Sequence, residues 1–318
     1  MPKVSVVIPV YNVEAYIERC LHTLFSQTLD DIEYIFVDDG STDRSEAIIS
    51  EILGQYPHRI GQTKILKHEQ NRGVAAARAT GILAAAGDYI VQCDPDDFVE
   101  VEMYEKLYNR ALDSNADIVA CYYWEERRPD RHELVARRYG RTPQDCLENI
   151  YKKNCYCGSL WDKLVKRTLI TEHQIIPYEA CDHGEDLNCV VRMLYYARSI
   201  VVVQEPLYHY CRRDDSLTGV VKDARFLRMR MRGMDRIRQF LGDEKRYATA
   251  CRQMSFYLKM ECRTAFDGDE NAWFELYSDS HRDILKYNDM PLKGRLFWWF
   301  ALRNKATYGI MRKMISRR

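Results

Sequence analysis

The stretch QCDPDDFVEVE, residues 92–102, places three carboxylates in four positions, Asp94, Asp96 and Asp97, directly after the apolar run DYIV. Like charges this close repel, and each carboxylate resists ionising beside its neighbours. Such a cluster calls for a positive partner. An Asp-x-Asp on a loop after a strand offers oxygen ligands to a hard divalent cation. Mg²⁺ or Mn²⁺ typically takes one or two carboxylates and leaves other positions for phosphate oxygens. The plainer alternative is an acidic turn in which Asp96 or Asp97 caps the next helix. A second acidic pair, Asp38 and Asp39, stands in FVDDG. An aspartate there suits an N–H of a pyrimidine or a ribose hydroxyl, with turn chemistry beside Gly40 as its alternative. PVYN offers Pro9, which shapes a turn, and Tyr11, whose ring can flank a base. NRG offers Arg72, a fixed cation for a diphosphate or for pairing with Asp38 or Asp39.

These residues need a scaffold that brings them together. The first 120 residues alternate short β-branched runs with helical patterns. KVSVVIPV, IEYIFVDD, IGQTKILKH and DYIVQC read as strands, separated by the helical NVEAYIERCLHTLFSQT, GSTDRSEAIISEIL and RGVAAARATGILAAAG. EMYEKLYNRALDSN and ADIVACYYW add another helix and strand. Strands separated by helices imply right-handed crossovers and a mainly parallel sheet covered on both faces. In such sheets ligands bind beyond the carboxyl ends of the strands. The polar clusters PVYN (9–12), DDGSTD (38–43), HEQNRG (68–73) and CDPDD (93–97) all fall just after predicted strands. Their coincidence at four successive strand ends predicts a pocket for a nucleotide diphosphate with a metal.

From about 124 to 158 the pattern weakens, and EERRPDRHELVARRYGR predicts an irregular excursion. GEDLNCVVRMLYYA predicts a helix and SIVVVQEPLYHYC one or two strands, and beyond 220 the chain is helical in pattern. A soft boundary falls near 219. The chain has 318 residues, 46% apolar and 30% charged, with a formal net charge of zero. That is a globular composition with no global field favouring nucleic acid. The eleven cysteines are scattered, and CYC at 155–157 lacks a second pair at zinc-ligand spacing. MPKVSVVIPV enters a strand with no signal peptide, so free thiols in a reducing cytoplasm are expected. No apolar run approaches the ~20 residues of a membrane span.

VSVVIPVYNVEAYIERCLHTLFSQT, FVDDGSTD, NRGVAAARATG and DYIVQCDPDD together resemble the nucleotide-binding half of family 2 glycosyltransferases, inverting enzymes with a GT-A fold. WDKLVKR (161–167), GED (184–186) and PLYHYCRRDDSLT (206–218) resemble the acceptor half of the members that build bacterial cell-surface polysaccharides. The resemblance implies an α/β GT-A domain over 1–219, with a nucleotide-binding half at 1–120 and an acceptor half at 121–219, followed by a helical region at 220–318. It implies transfer of a sugar from a nucleotide-diphosphate sugar, a UDP-sugar in the first instance, to a glycan or lipid-linked acceptor. Pro9, Tyr11, Asn12 and Asp39 would frame the nucleoside with Arg72 nearby. Asp94 would approach the ribose, Asp96 would ligate Mg²⁺ or Mn²⁺, and Asp186 would be the catalytic base, with Glu185 beside it on the acceptor side. Trp161 is a further acceptor-side candidate, although its apolar setting also suits a core residue. Thr80 stands where the family often has Asn, Asp162 replaces a common Asn, and Cys211 occupies a position often held by Arg.

Chemistry gives these roles reasons. Displacement at an anomeric carbon needs the leaving diphosphate neutralised and the acceptor hydroxyl deprotonated from the opposite face. A carboxylate at a helix N-terminus, as expected for Asp186, is favoured in its ionised form by the helix dipole. His209, a strand histidine with no visible paired partner, reads as structural. A nucleotidyltransferase would also use acidic metal ligands, but it should carry a basic Gly-rich phosphate loop near the first strand, and PVYNVEAY is neither basic nor Gly-rich. A binding module without turnover is the third alternative. From Pro291 onward the chain has no acid but carries Lys293, Arg295, Arg303, Lys305, Arg312, Lys313, Arg317 and Arg318, interleaved with Phe297, Trp298, Trp299 and Phe300. This mixture predicts either a segment lying peripherally on an anionic inner membrane leaflet or a helix packing its aromatics on the protein.

Overall fold

The structure is a computed structural model that describes residues 1–128, 131–151, 158–178, 181–213, 224–266, 269–287 and 289–309. Its first half runs β1 (Val4–Val10), α1 (Ile17–Phe25), β2 (Ile32–Asp38), α2 (Ser45–Leu53), β3 (Thr63–Lys67), α3 (Val74–Ala84), β4 (Tyr89–Gln92), β5 (Phe98–Val99) and α4 (Met103–Ser114). There follow β6 (Ile118–Arg128), β7 (Arg131–Val135), α5 (Pro143–Glu148), β8 (Lys163–Lys166), α6 (Arg167–Glu172), α7 (Glu185–Tyr196) and β9 (Ile200–Cys211). The last part is helical, with α8 (Ala224–Leu241), α9 (Ala248–Glu261), α10 (Glu270–Glu275) and α11 (Leu292–Ala301). The expected boundary near 219 lies outside the described residues, as do Cys155 and Cys157.

The strands form one sheet in the order β3-β2-β1-β4-β8-β6-β9-β5, with β7 paired to β6. β1 to β4 are mutually parallel, as the alternation of strands and helices predicts. The rest is mixed, because β8 runs antiparallel between β4 and β6, and β5 runs antiparallel to β9. These two strands span four and two residues, too short for a hydrophobic period to announce them. The excursion expected after 124 is instead a hairpin, with Tyr123 opposite Val135 and Glu125 opposite Glu133. Its outer end pairs charge rather than apolar surface, with Arg127 lying 3.4 Å from Glu133. A charged, solvated hairpin gives no alternating apolar signal.

β1 is buried along its whole length. β2 follows it on one side, whereas the next parallel strand, β4, lies on the other, so a topological switch point opens between β1 and β4. The pairing of β1 with β4 stops at Val7 and Gln92, while the pairing with β2 continues through Pro9 and Val37. Pro9, which has no N–H to donate, therefore sits where the sheet has already parted on the β4 side. PVYN and CDPDD flank that cleft.

Along β9 the register against β6 slips near Pro206, with Cys121 opposite Val203, Tyr122 opposite Pro206 and Tyr123 opposite Tyr208. Such a bulge re-aims the side chains beyond it, and Tyr208 is one of them. The helical region joins the same core. Leu227, Met234 and Ile237 of α8 and Leu258 of α9 cluster with Val190, Val191 and Leu194 of α7. A smaller aromatic core of Phe256, Trp273, Phe274 and Tyr287 lies further along. Among the described residues no helix is long and apolar enough to cross a membrane.

α3 lies close on the sheet because its inner face is built from alanines and Gly81. A Cβ at Gly81 would stand 2.3 Å from Val7 Cγ1 and 3.3 Å from Val37 Cγ2, both on buried strands. Gly81→Ala is accordingly expected to lower unfolding free energy by about 1–3 kcal/mol through overpacking, read from urea titration. Gly61→Ala, where nothing lies within 4 Å, is the neutral control.

Candidate active site

The acidic loop after β4 brings one oxygen each from Asp94, Asp96 and Asp97 within 4.8 Å of one another. The three are not equivalent. Asp97 is buried and wholly engaged, accepting from the Cys211 N–H and from the Tyr208 hydroxyl, both at 2.7 Å. Burial, reinforced by Asp96 and Asp94, pushes its pKa well up. Asp97 is a brace. Tyr208 also accepts from the Asp94 N–H at 3.2 Å, so one buried phenol fixes both ends of the loop. Trp161, expected on the acceptor side, lies beneath it. Its buried ring stacks on Tyr208 at 4.4 Å and Tyr210 at 5.7 Å and meets Tyr123 edge-on, so it supports the floor of the site from within the core. His209 stacks on Phe98 and bonds Glu126 and Glu100 through its two ring nitrogens, a structural role as expected.

Asp94 and Asp96 are only half-buried. Asp94 Oδ1 accepts from Arg78 Nη2 at 2.7 Å, and Asp96 Oδ2 pairs with Arg213, whose guanidinium lies 3.8 Å from the centroid of the Tyr16 ring. Burial and Asp94 raise the Asp96 pKa, while Arg213 opposes them. A pair of half-exposed carboxylates on a short loop is a suitable oxygen donor set for a hard divalent ion that keeps other positions for phosphate or water.

Arg78 is the buried cation of this cluster that the motifs did not disclose. It projects from α3 into the protein, donates also to Gln92 Oε1 at 3.2 Å, and places Nε 3.5 Å from Glu185 Oε1. Burial disfavours its charge, but Asp94 and Glu185 more than restore it, so its pKa is raised. The available signal was a lone cation on the apolar face of an alanine-rich helix. Through Arg78, the acidic loop and the GED segment become one charged cluster.

Glu185 and Asp186 open α7 behind Gly184, whose φ of +89° places it in the left-handed region that glycine tolerates. Asp186 Oδ1 accepts from the Leu187 N–H at 2.7 Å, a bond from the first helical turn. That bond and Arg78 favour the charged form, yet burial outweighs them and the Asp186 pKa is raised. The helix terminus therefore moderates the expected ionisation rather than securing it alone. Glu185 goes further: burial and the Asp186 charge push it up to about 8, against Arg78. A proton held on Glu185 spares Asp186 a second adjacent negative charge. Asp182, just upstream, accepts from the Ala75 N–H at 3.1 Å and so ties this segment to the start of α3. On the other flank Tyr151 stacks on Tyr257 of α9 at 5.2 Å. Burial pushes its hydroxyl up to about 12, with Asp186 among the charges that add to the rise, so the helical region reaches the neighbourhood of Asp186.

The remaining residues line the strand ends. Asp39 is buried, accepts from the backbone N–H groups of Arg72 (3.0 Å) and Gly73 (2.7 Å), and bonds His68 Nδ1 at 2.6 Å. His68 Nε2 in turn meets Thr80 Oγ1 at 2.9 Å, which accounts for Thr80 at that position. The Arg72 side chain is exposed, as is Tyr11. Asn12, at φ +50°, accepts from the Thr42 N–H at 2.8 Å and binds the two loops together. Asp162 is buried against Lys163 at 2.6 Å and also accepts from Ser159 and Tyr139.

A parallel half-sheet, an acidic loop at its switch point and a second carboxylate pair across a buried arginine define a GT-A glycosyltransferase architecture. The crystal structure of residues 1–349 of TarS from Staphylococcus aureus in complex with UDP-GlcNAc has this fold, with a TM-score of 0.68 at 18% identity over 96% of this chain and 92% of that one. The mannosyltransferase PcManGT from Pyrobaculum calidifontis, in complex with GDP-Man and Mn²⁺, gives a TM-score of 0.57 at 15% identity over 97% and 82% of the two chains. The chain belongs to Glycosyl transferase family 2, whose sequence model matches residues 5–169. EpsH of Bacillus subtilis is 36% identical over 215 residues, which are 66% of this chain and 60% of EpsH, so the match spans less than two thirds of that relative.

A Glu185 pKa raised from 4.5 to about 8 makes the native state hold more protons than the unfolded chain across that interval. Stability from this group is present below 4.5 and is lost as pH rises toward 8. Glu185→Gln should flatten that decline in urea-unfolding free energy. An unchanged slope would locate the proton elsewhere.

Proposed function

We propose that the protein transfers a sugar, with inversion, from a nucleotide-diphosphate sugar to a hydroxyl of a glycan or lipid-linked acceptor in bacterial surface polysaccharide synthesis. The observation that carries this reading is the buried Arg78 link between Asp94 of the acidic loop and Glu185 beside Asp186. It supports a donor side and an acceptor side held at a fixed separation. TarS with UDP-GlcNAc and PcManGT with GDP-Man and Mn²⁺ share the fold and motivate a nucleotide sugar, taken here as a UDP-sugar, and a divalent ion.

In this reading Pro9, Tyr11, Asn12 and Asp39 frame the nucleoside, with Asp39 setting the 71–73 loop and Arg72 beside it. Asp94, held at one oxygen by Arg78, would approach the ribose. Asp96 would hold Mg²⁺ or Mn²⁺, in place of its pairing with Arg213. A bound ion would neutralise the departing diphosphate as a Lewis acid. Asp186 takes the proton of the attacking hydroxyl, and the neighbouring Glu185, keeping its own proton, leaves Asp186 as the ionised member of the pair. One displacement from the opposite face inverts the anomeric carbon, and no protein nucleophile is required. The enzyme works at the inner face of the cytoplasmic membrane, where lipid-linked acceptors are made.

Asp96→Asn is expected to abolish the Mn²⁺-dependent part of UDP binding in calorimetry. Asp186→Asn should leave UDP binding within a few-fold of the unmodified chain and reduce transfer by at least ~10². Normal transfer by the Asp186 variant would remove the base assignment.

A further inference from the structure

The basic, aromatic end of the chain divides between two faces of α11. Phe297, Trp298, Ala301 and Leu302 turn inward onto the aromatic core of the helical region. Leu292, Leu296, Trp299 and Phe300 lie at positions i, i+4, i+7 and i+8 on the other side, and each is 36–60% exposed. Residues at that spacing share one helical stripe. Leu285, 41% exposed, lies next to α11, since its carbonyl accepts from Arg295 at 2.8 Å. A contiguous exposed stripe holding two aromatic rings is not an ordinary solvated face.

Charge selects the occupant. Residues 291–318 contain eight Lys and Arg and no Asp or Glu. Lys293 and Arg303 are exposed on α11 and just past its end, and Arg303 lies over the Trp299 ring at 5.9 Å. Glu275 is already paired with Lys305 at 2.9 Å. Apolar and aromatic side chains flanked by cations match the boundary between acyl chains and anionic headgroups, where rings enter the interface and cations meet phosphate. We propose that the outer face of α11 docks the protein on an anionic lipid bilayer. This deepens the reading of a lipid-linked acceptor, because it names the surface that would bring the site to such an acceptor.

The experiment compares the unmodified full chain with a Leu296→Ser/Trp299→Ser/Phe300→Ser variant and a Lys293→Glu/Arg303→Glu variant. Each is floated with phosphatidylcholine vesicles and with vesicles that also contain phosphatidylglycerol. The unmodified chain should bind only the anionic vesicles and be released by high salt, and both variants should partition at least ~10-fold more weakly. Binding of the serine variant equal to that of the unmodified chain, or no binding by the unmodified chain, overturns the proposal. A dimer in solution that the serine substitutions dissolve, without vesicle binding, assigns the stripe to a second copy and overturns it equally. Mn²⁺-dependent UDP binding, measured on the same three proteins, should not change. Its absence in all three would defeat the reading of a metal-dependent UDP-sugar donor while leaving the vesicle result standing.

Discussion

A buried guanidinium between two carboxylates organises this molecule. Arg78 cannot be taken from water without partners that restore its charge, and Asp94 and Glu185 provide them from segments 91 residues apart in sequence. The position of α3 on the sheet, fixed by the close approach of Gly81 to Val7, therefore sets the separation of the two acidic groups. Packing and electrostatics are one constraint here.

The acid cluster after β4 is answered by more than one cation. Arg78 meets Asp94 and Arg213 meets Asp96, while Asp97 withdraws into hydrogen bonds with Tyr208 and the Cys211 backbone. The positions that differ from the usual family residues are accommodated locally. Thr80 completes the hydrogen-bonded chain from His68 to Asp39. Cys211 uses its backbone N–H for Asp97 and accepts from Arg19 at its sulfur. Asp162 has Lys163 beside it.

What was legible in the chain was whatever its own segment determined. β1, β2 and β4 are apolar runs followed at once by polar clusters, and α7 begins at GED, so the parallel half-sheet and its rim could be read residue by residue. What escaped depends on distant partners. β5 and β8 exist because longer strands accept them, the β6–β7 hairpin is held in part by charges, and Arg78 looks like one residue of an alanine-rich helix until its partners arrive. Trp161 shows the converse: an aromatic near the acceptor motifs looked available for a sugar, but tertiary stacking on Tyr208 and Tyr210 claims it.

Asp182 carries a consequence for how such proteins can be recombined. Its carboxylate accepts from the Ala75 N–H, so the first turn of a helix in one half is completed by a loop from the other. Gly73 fits only because nothing larger could stand there, since a Cβ would lie 2.2 Å from an Asp182 oxygen. A hybrid that joined residues 1–120 of this chain to the later segment of a distant relative would have to import a short acid two residues before the glycine of GED. Without that graft, α3 would begin on an unfinished turn, and the exchange would fail at that seam.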